Sequence, residues 1–195
     1  IKRLAHALKE GAPIEGKPLE TALYNIAALG GIEAAGVLSP GTTFGTGDLT
    51  IRVKDGKRQS FVLYSENYGS EPSGRYRFGL QGSFENLTKS GDRLNLGLTL
   101  SNKDLHNYGI SYSHPVGADG TTLGIGVSRM DYELSGAFRR LGAEGTADTL
   151  SIFGTTPLWR TAQSSLAVTY GWDWRRLKDE YKKVGMELEK HSSTF

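Results

Sequence analysis

The side chains able to do chemistry are few and scattered. Four histidines, His6, His106, His114 and His191, lie far apart, with no HExxH run and no carboxylate pair at ligand spacing. Surface or loop positions are therefore expected for them, not a metal or acid–base centre. Gly124-Ile125-Gly126 and Gly45-Thr46-Gly47 superficially match phosphate-cradling loops, but neither opens a helix after a strand, so both read as strand and turn glycines. No serine sits in a G-x-S-x-G elbow, and the absence of cysteine removes thiol nucleophiles, thiolate metal sites and disulfides. An enzyme is disfavoured, and no cofactor or small-molecule substrate is expected. What remains is a set of charges, Arg75, Arg77, Glu85, Arg93, Asp173 and Arg175, on the polar side of alternating segments. Mixed charges on one face suit the wall of an aqueous conduit, which must keep a passing chain solvated without gripping it. For Asp173 and Arg175, solvated charges at strand ends is an equal reading.

The elements that would position these residues follow from composition and period. Of 195 residues, 37% are hydrophobic, below the usual globular share, so a large dry core is not expected. Glycine is abundant at 26 residues while proline stands at 6, which places the glycines inside patterned segments and not in a disordered tract. No apolar run approaches the length of a membrane-spanning helix, and mean hydropathy is negative. Strands of a membrane barrel remain possible because only half their residues are apolar. A formal charge of +2 is too small to imply nucleic acid. The chain starts abruptly in a helical pattern over residues 1–8, as though cut from a longer precursor.

Up to about residue 58 the pattern is that of a small α+β module. Pro18 marks a helix start, and Leu19, Leu23, Ile26, Ala27 and Leu29 form a stripe ended by Gly30 and Gly31. The upstream stretch 4–8 reads as the tail of another helix. An apolar segment over 32–38, a turn at Pro40-Gly41, and a strand with Leu49, Ile51 and Val53 opposite Thr50, Arg52 and Lys54 follow, closed by Asp55-Gly56.

Beyond residue 58 the period switches to strict alternation. Leu94, Leu96, Leu98 and Leu100 put pure leucine on one face, and Tyr76, Phe78, Leu80 and Phe84 repeat the pattern, as do Leu166, Val168, Tyr170, Trp172 and Trp174. About eight antiparallel strands are expected, beginning near Gln59, Arg75, Arg93, Asn107, Thr121, Asp148, Ser164 and Tyr181. Their polar face is rich in Gly, Ser, Asn and Thr, which suits a barrel interior better than a free surface. Residues 75–86 would extend roughly 40 Å, enough when tilted to cross an apolar band. Tyr68, Tyr76, Tyr108, Tyr132, Trp159, Trp172 and Trp174 fall near the expected strand ends, where interfacial girdles form. With the N-terminal module on the inner side, the inner turns are 86–92, 115–120 and 157–164, and the outer connectors are 69–74, 102–106, 129–147 and 173–180. The third outer connector is long and charged, with Arg139, Arg140 and Glu144.

Pro18-Leu19-Glu20 with Leu23, Gly30-Gly31-Ile32, Leu38, Pro40-Gly41, Gly45 and Asp48-Leu49 resemble the last part of the second POTRA module of two-partner secretion transporters, the haemolysin activation/secretion (ShlB/FhaC/HecB) family. Asn67-Tyr68-Gly69, Gly74-Arg75, Asn86-Leu87 and Gly91-Asp92 resemble that family's first barrel hairpin and turn, and Pro157-Leu158-Trp159-Arg160 its later inner turn. The resemblance implies a mainly β fold: the C-terminal part of an α+β POTRA module at 1–58, then an incomplete outer-membrane β-barrel at 59–195. It implies an outer-membrane pore that secretes an unfolded partner polypeptide of haemolysin or adhesin type, with the module in the periplasm and lipid around the barrel. The family's complete first POTRA module, plug helix, sixteen strands and lumenal loop arginine are not all in this chain, which reads as a fragment ending at Phe195. The strand edge carrying Asp48, Thr50, Arg52 and Lys54 is a candidate client-docking edge by β-augmentation, while Leu23, Ile26, Leu49 and Ile51 read as the module's own core. A BamA-like assembly factor, a closed eight-stranded structural or adhesive barrel and a soluble β-rich binding domain are the alternatives.

Overall fold

The computed structural model describes residues 3–6, 8–133, 140, 142–182 and 185–195. One helix, α1 (Gly16–Ala27), is followed by a hairpin of β1 (Ile32–Pro40) and β2 (Gly47–Asp55). Then come β3 (Gln59–Glu66), β4 (Arg77–Glu85), β5 (Arg93–Ser101), β6 (Leu105–Pro115), β7 (Thr122–Glu133), β8 (Ala143–Arg160), β9 (Ser165–Tyr181) and β10 (Met186–Thr194). These eight strands form one antiparallel meander in sequence order, open between β3 and β10. Strand number and order match the alternation in the sequence, because each strand pairs with its chain neighbour and short turns suffice.

Cross-strand partners share a face, so register carries the sidedness of each strand across the whole sheet. Leu98 lies between Leu80 and Tyr108, Ile110 between Leu96 and Val127, and Ile125 between Tyr112 and Ile152. This apolar face is uncovered: Leu63 is 81% exposed, Phe78 58% and Ile125 51%. No second sheet or helical layer packs on it among the described residues, where a soluble sandwich would bury it.

Where the sheet meets the sequence expectation less well, the cause is water. Residues 173–180 are not a connector but the middle of β9, paired with β8 on one side and β10 on the other. Asp173 and Arg175 consequently do not end a strand. The expected loop over 129–147 shrinks in the same way, since β7 runs to Glu133 and Glu144 pairs with it. Arg139 lies outside the described residues, and Arg140 sits between the two strands. Beyond the apolar rows β9 carries Arg176, Lys178 and Glu180 on one face and Arg175 and Asp179 on the other while backbone bonds still hold the hairpins, and alternation alone cannot see such extensions. Trp172 and Trp174 therefore lie inside β9 and not at its end. The last strand starts at Met186 and not at Tyr181.

At the other end, the expected turn at 157–164 is confined to 161–164, where the Thr161 amide donates to the Ser164 carbonyl at 2.8 Å. Pro157 is still in β8, at a register shift between Pro157 and Trp159, the kind of site where a strand tolerates proline. The strand β4 spans nine residues instead of the twelve of 75–86, so its contour is roughly 30 Å. In the N-terminal module Ile26 is fully buried, whereas Ala27 is exposed and leaves the expected stripe. The segment near Leu4 forms turns over 3–6 in place of a helix tail.

Candidate functional site

The polar face is a concave trough of about 700 Å³, lined by uncharged groups such as Ser60, Gln81, Asn95, Asn107, Ser128 and Ser151. Glycines let aromatic rings lie flat across it. A Cβ at Gly79 would stand 2.0 Å from the Tyr64 ring, and one at Gly124 would stand 2.4 Å from Phe153. Tyr64 reaches over Gly79 to Thr99, hydroxyl to hydroxyl at 2.9 Å. At Gly97 the space is open, with nothing within 4 Å.

Five of the six singled-out charges share this face by register: Arg77, Glu85, Arg93, Asp173 and Arg175. Arg75 lies in the connector before β4, with an exposed side chain, so no strand sets its side. The charges are paired: Arg93 with Glu85 at 2.9 Å, Arg77 with Glu66 at 3.7 Å, and Arg175 with Asp173 at 3.3 Å. Glu85 and Arg93 sit at the trough end next to the N-terminal module, Arg77 at the opposite end of the same strand, and the span between them on β4 and β5 is uncharged.

The module is fastened to the turns at that end. Gly31, at φ 66°, presents its amide to Glu85 Oε2 at 2.6 Å, a conformation and a proximity that favour glycine. The Gly30 amide donates to the Gly91 carbonyl at 3.3 Å, and Leu29 packs where a Cβ on Gly91 would stand, 2.8 Å away. Asn25 Nδ2 donates to the Asp119 carbonyl at 3.1 Å, and Thr21 Oγ1 to the Arg160 carbonyl at 3.4 Å. Asp92, fully buried, braces the first turn by accepting from the Thr88 hydroxyl at 2.7 Å and the Thr88 amide at 3.0 Å. Burial pushes the Asp92 carboxyl up, but the Thr88 bonds outweigh it and hold it below the usual carboxylate range. Sequence reasoning passed over Asn25. Its signal was a polar residue inside the helix's apolar stripe, between Ala22 and Ile26.

Asp48, Thr50, Arg52 and Lys54 all lie on β2, exposed; β2 pairs only with β1 among the described residues, so its far edge is open. Leu23, Leu49 and Ile51 are half-buried.

The profile of the family described as haemolysin secretion/activation protein ShlB/FhaC/HecB matches residues 45–195. The chain belongs to this family. It is 32% identical over 167 residues to the heme/hemopexin transporter protein HuxB of Haemophilus influenzae, covering 85% of this chain and 30% of that protein. HuxB of a second strain, 86-028NP, is 31% identical over 173 residues, 88% of this chain and 31% of that protein. The chain thus spans about a third of the length of the curated relatives it matches. Among solved structures, CdiB from Escherichia coli aligns with a TM-score of 0.69 at 20% identity, covering 99% of this chain and 38% of that one. CdiB from Acinetobacter baumannii gives 0.67 at 17%, covering 98% and 38%. BamA from Haemophilus ducreyi gives 0.54 at 17%, covering 100% and 39%. These structures establish the fold, and the curated relatives are transporters.

Proposed function

We propose that this chain supplies the first part of an outer-membrane conduit that passes an unfolded partner polypeptide from the periplasm to the cell surface. Residues 1–58 are the C-terminal part of a POTRA module in the periplasm, and residues 59–195 are the first eight barrel strands. The one-sidedness of the sheet carries this reading. An uncovered apolar face needs lipid, while a trough of hydroxyls, amides and glycine needs water and offers a moving chain many weak, replaceable hydrogen bonds. Arg77, Glu85, Arg93, Asp173 and Arg175 line the conduit, with Arg75 at its outer mouth. The open edge of β2, bearing Asp48, Thr50, Arg52 and Lys54, receives an extended client strand through its backbone groups.

Deleting the complete gene tests the reading. Loss of one large surface or secreted protein, with other outer-membrane proteins at normal levels, is the expected result. A general fall in outer-membrane proteins would point instead to barrel assembly, as in a BamA-like factor.

A further inference from the structure

The trough face changes chemistry at the end far from the module. Along β7, β8 and β9 its rows run Gly126, Ser151 and Asp173, then Ser128, Thr149 and Arg175. The next row on the same face is Met130, Ala147 and Leu177. Leu188 and Met186 of β10 extend it, paired with Asp179 and Tyr181. Lys190 borders this shelf, and its carboxylate, Asp179, accepts the Tyr132 hydroxyl, so the surface between them is largely apolar.

Lipid cannot cover the shelf. The reverse side of the same hairpins carries charge: Arg129, Asp148 and Arg176 form one row, and Glu133, Glu144, Glu180 and Glu187 face one another in the outermost. The apolar band ends one step below, at Val127, Leu150 and Trp174, so these rows stand in water. No second layer lies on the shelf among the described residues, and Leu188 is 51% and Met186 45% exposed. An apolar surface of this kind calls for an apolar occupant. The shelf continues the trough on the same strands, so a chain moving outward along the trough must cross it to leave.

We propose that this shelf binds apolar side chains of the outgoing polypeptide as they leave the trough. The trough offers mainly replaceable hydrogen bonds, whereas the shelf lets leucine-like side chains shed water. Sliding back would strip those contacts, so the shelf biases movement outward. The assignment deepens the conduit reading above and rests on it.

Site-specific photocrosslinking on the complete protein in phospholipid vesicles tests it, with p-benzoylphenylalanine at Leu188, at Gly97 in the trough or at Glu189 on the outer face. The probes are an unstructured Ser/Asn peptide with interspersed leucines and its twin with asparagine at every leucine. At Leu188 the leucine peptide should give roughly tenfold more adduct than its twin, while Gly97 treats the two alike and Glu189 captures neither. Leu177→Ser with Met186→Ser should remove that preference, and heat-modifiable gel migration verifies that each variant is folded. Equal adducts from both peptides at Leu188, or as much at Glu189 as at Leu188, overturn the proposal. So does a benzophenone at Leu188 that reacts only within the protein, which would make an outer loop the occupant. If neither Gly97 nor Leu188 captures a peptide, the conduit reading falls too; capture at Gly97 alone removes only the shelf.

Discussion

Glu85 holds Gly31: one carboxylate oxygen accepts the Gly31 amide at 2.6 Å, and the other meets Arg93 at 2.9 Å. A side chain of the sheet thereby fixes the backbone of the module that precedes it. Glu85→Ala should cost about 1–2 kcal/mol at this joint, and Glu85→Gln less, since it keeps an acceptor. Hydrogen exchange of the Gly31 amide is the measurement: it should quicken in the alanine variant while amides in the middle of β5 and β6 stay protected.

Asp92 makes the adjoining turn pH-sensitive in one direction. Its carboxyl titrates below its ordinary value of 3.8 in the folded protein. The stabilisation is therefore complete above that value and is lost as pH falls through the lower folded one. The turn over 86–92 should stay closed at neutral and mildly acidic pH and open only in strong acid. Asp92→Asn should loosen it at neutral and mildly acidic pH, where the carboxylate is charged, and flatten the dependence so that variant and parent converge in strong acid, read by exchange of the 86–92 peptide after correction for intrinsic rates.

The assignment of faces is testable on adjacent residues of β5. Leu98→Arg places a cation in the middle of the apolar face and should cost about 2–4 kcal/mol on folding into vesicles. Thr99→Arg, on the opposite face, should fold nearly as well as the parent. Denaturant titration in phospholipid vesicles compares them, and equal costs would remove the membrane reading.

Two trough glycines should respond in opposite ways. Gly124→Val drives a side chain into Phe153, with the Tyr112 carbonyl also only 2.9 Å from the new Cβ, and should destabilise by about 1–3 kcal/mol. Gly97→Phe meets open space, so the protein should reach the membrane in normal amount while export and ion conductance fall. Surface quantity and conductance of the complete protein separate the two.

Much of this was legible in the residues. Leu94 to Leu100 declare both a strand and its faces, since a period of two has no other packing solution. The helix at Pro18 and the turn at Gly91-Asp92 follow from local backbone chemistry. The strand at 173–180 was not legible, because once both faces touch water the apolar alternation ends while the hydrogen-bonded ladder continues. Nor was the role of Asn25, whose partners lie on turns far along the chain.

By itself the sequence determined a helix-bearing module, a switch of period after residue 58, and eight neighbour-paired strands with one apolar face. These depend on local dihedral preference and on side-chain alternation, both written within a few residues. Tertiary structure alone decided that Glu85 meets Gly31, that Asn25 meets Asp119, and how far β8 and β9 continue. Such pairings depend on sheet curvature and register accumulated over many residues, and no short stretch of chain encodes them.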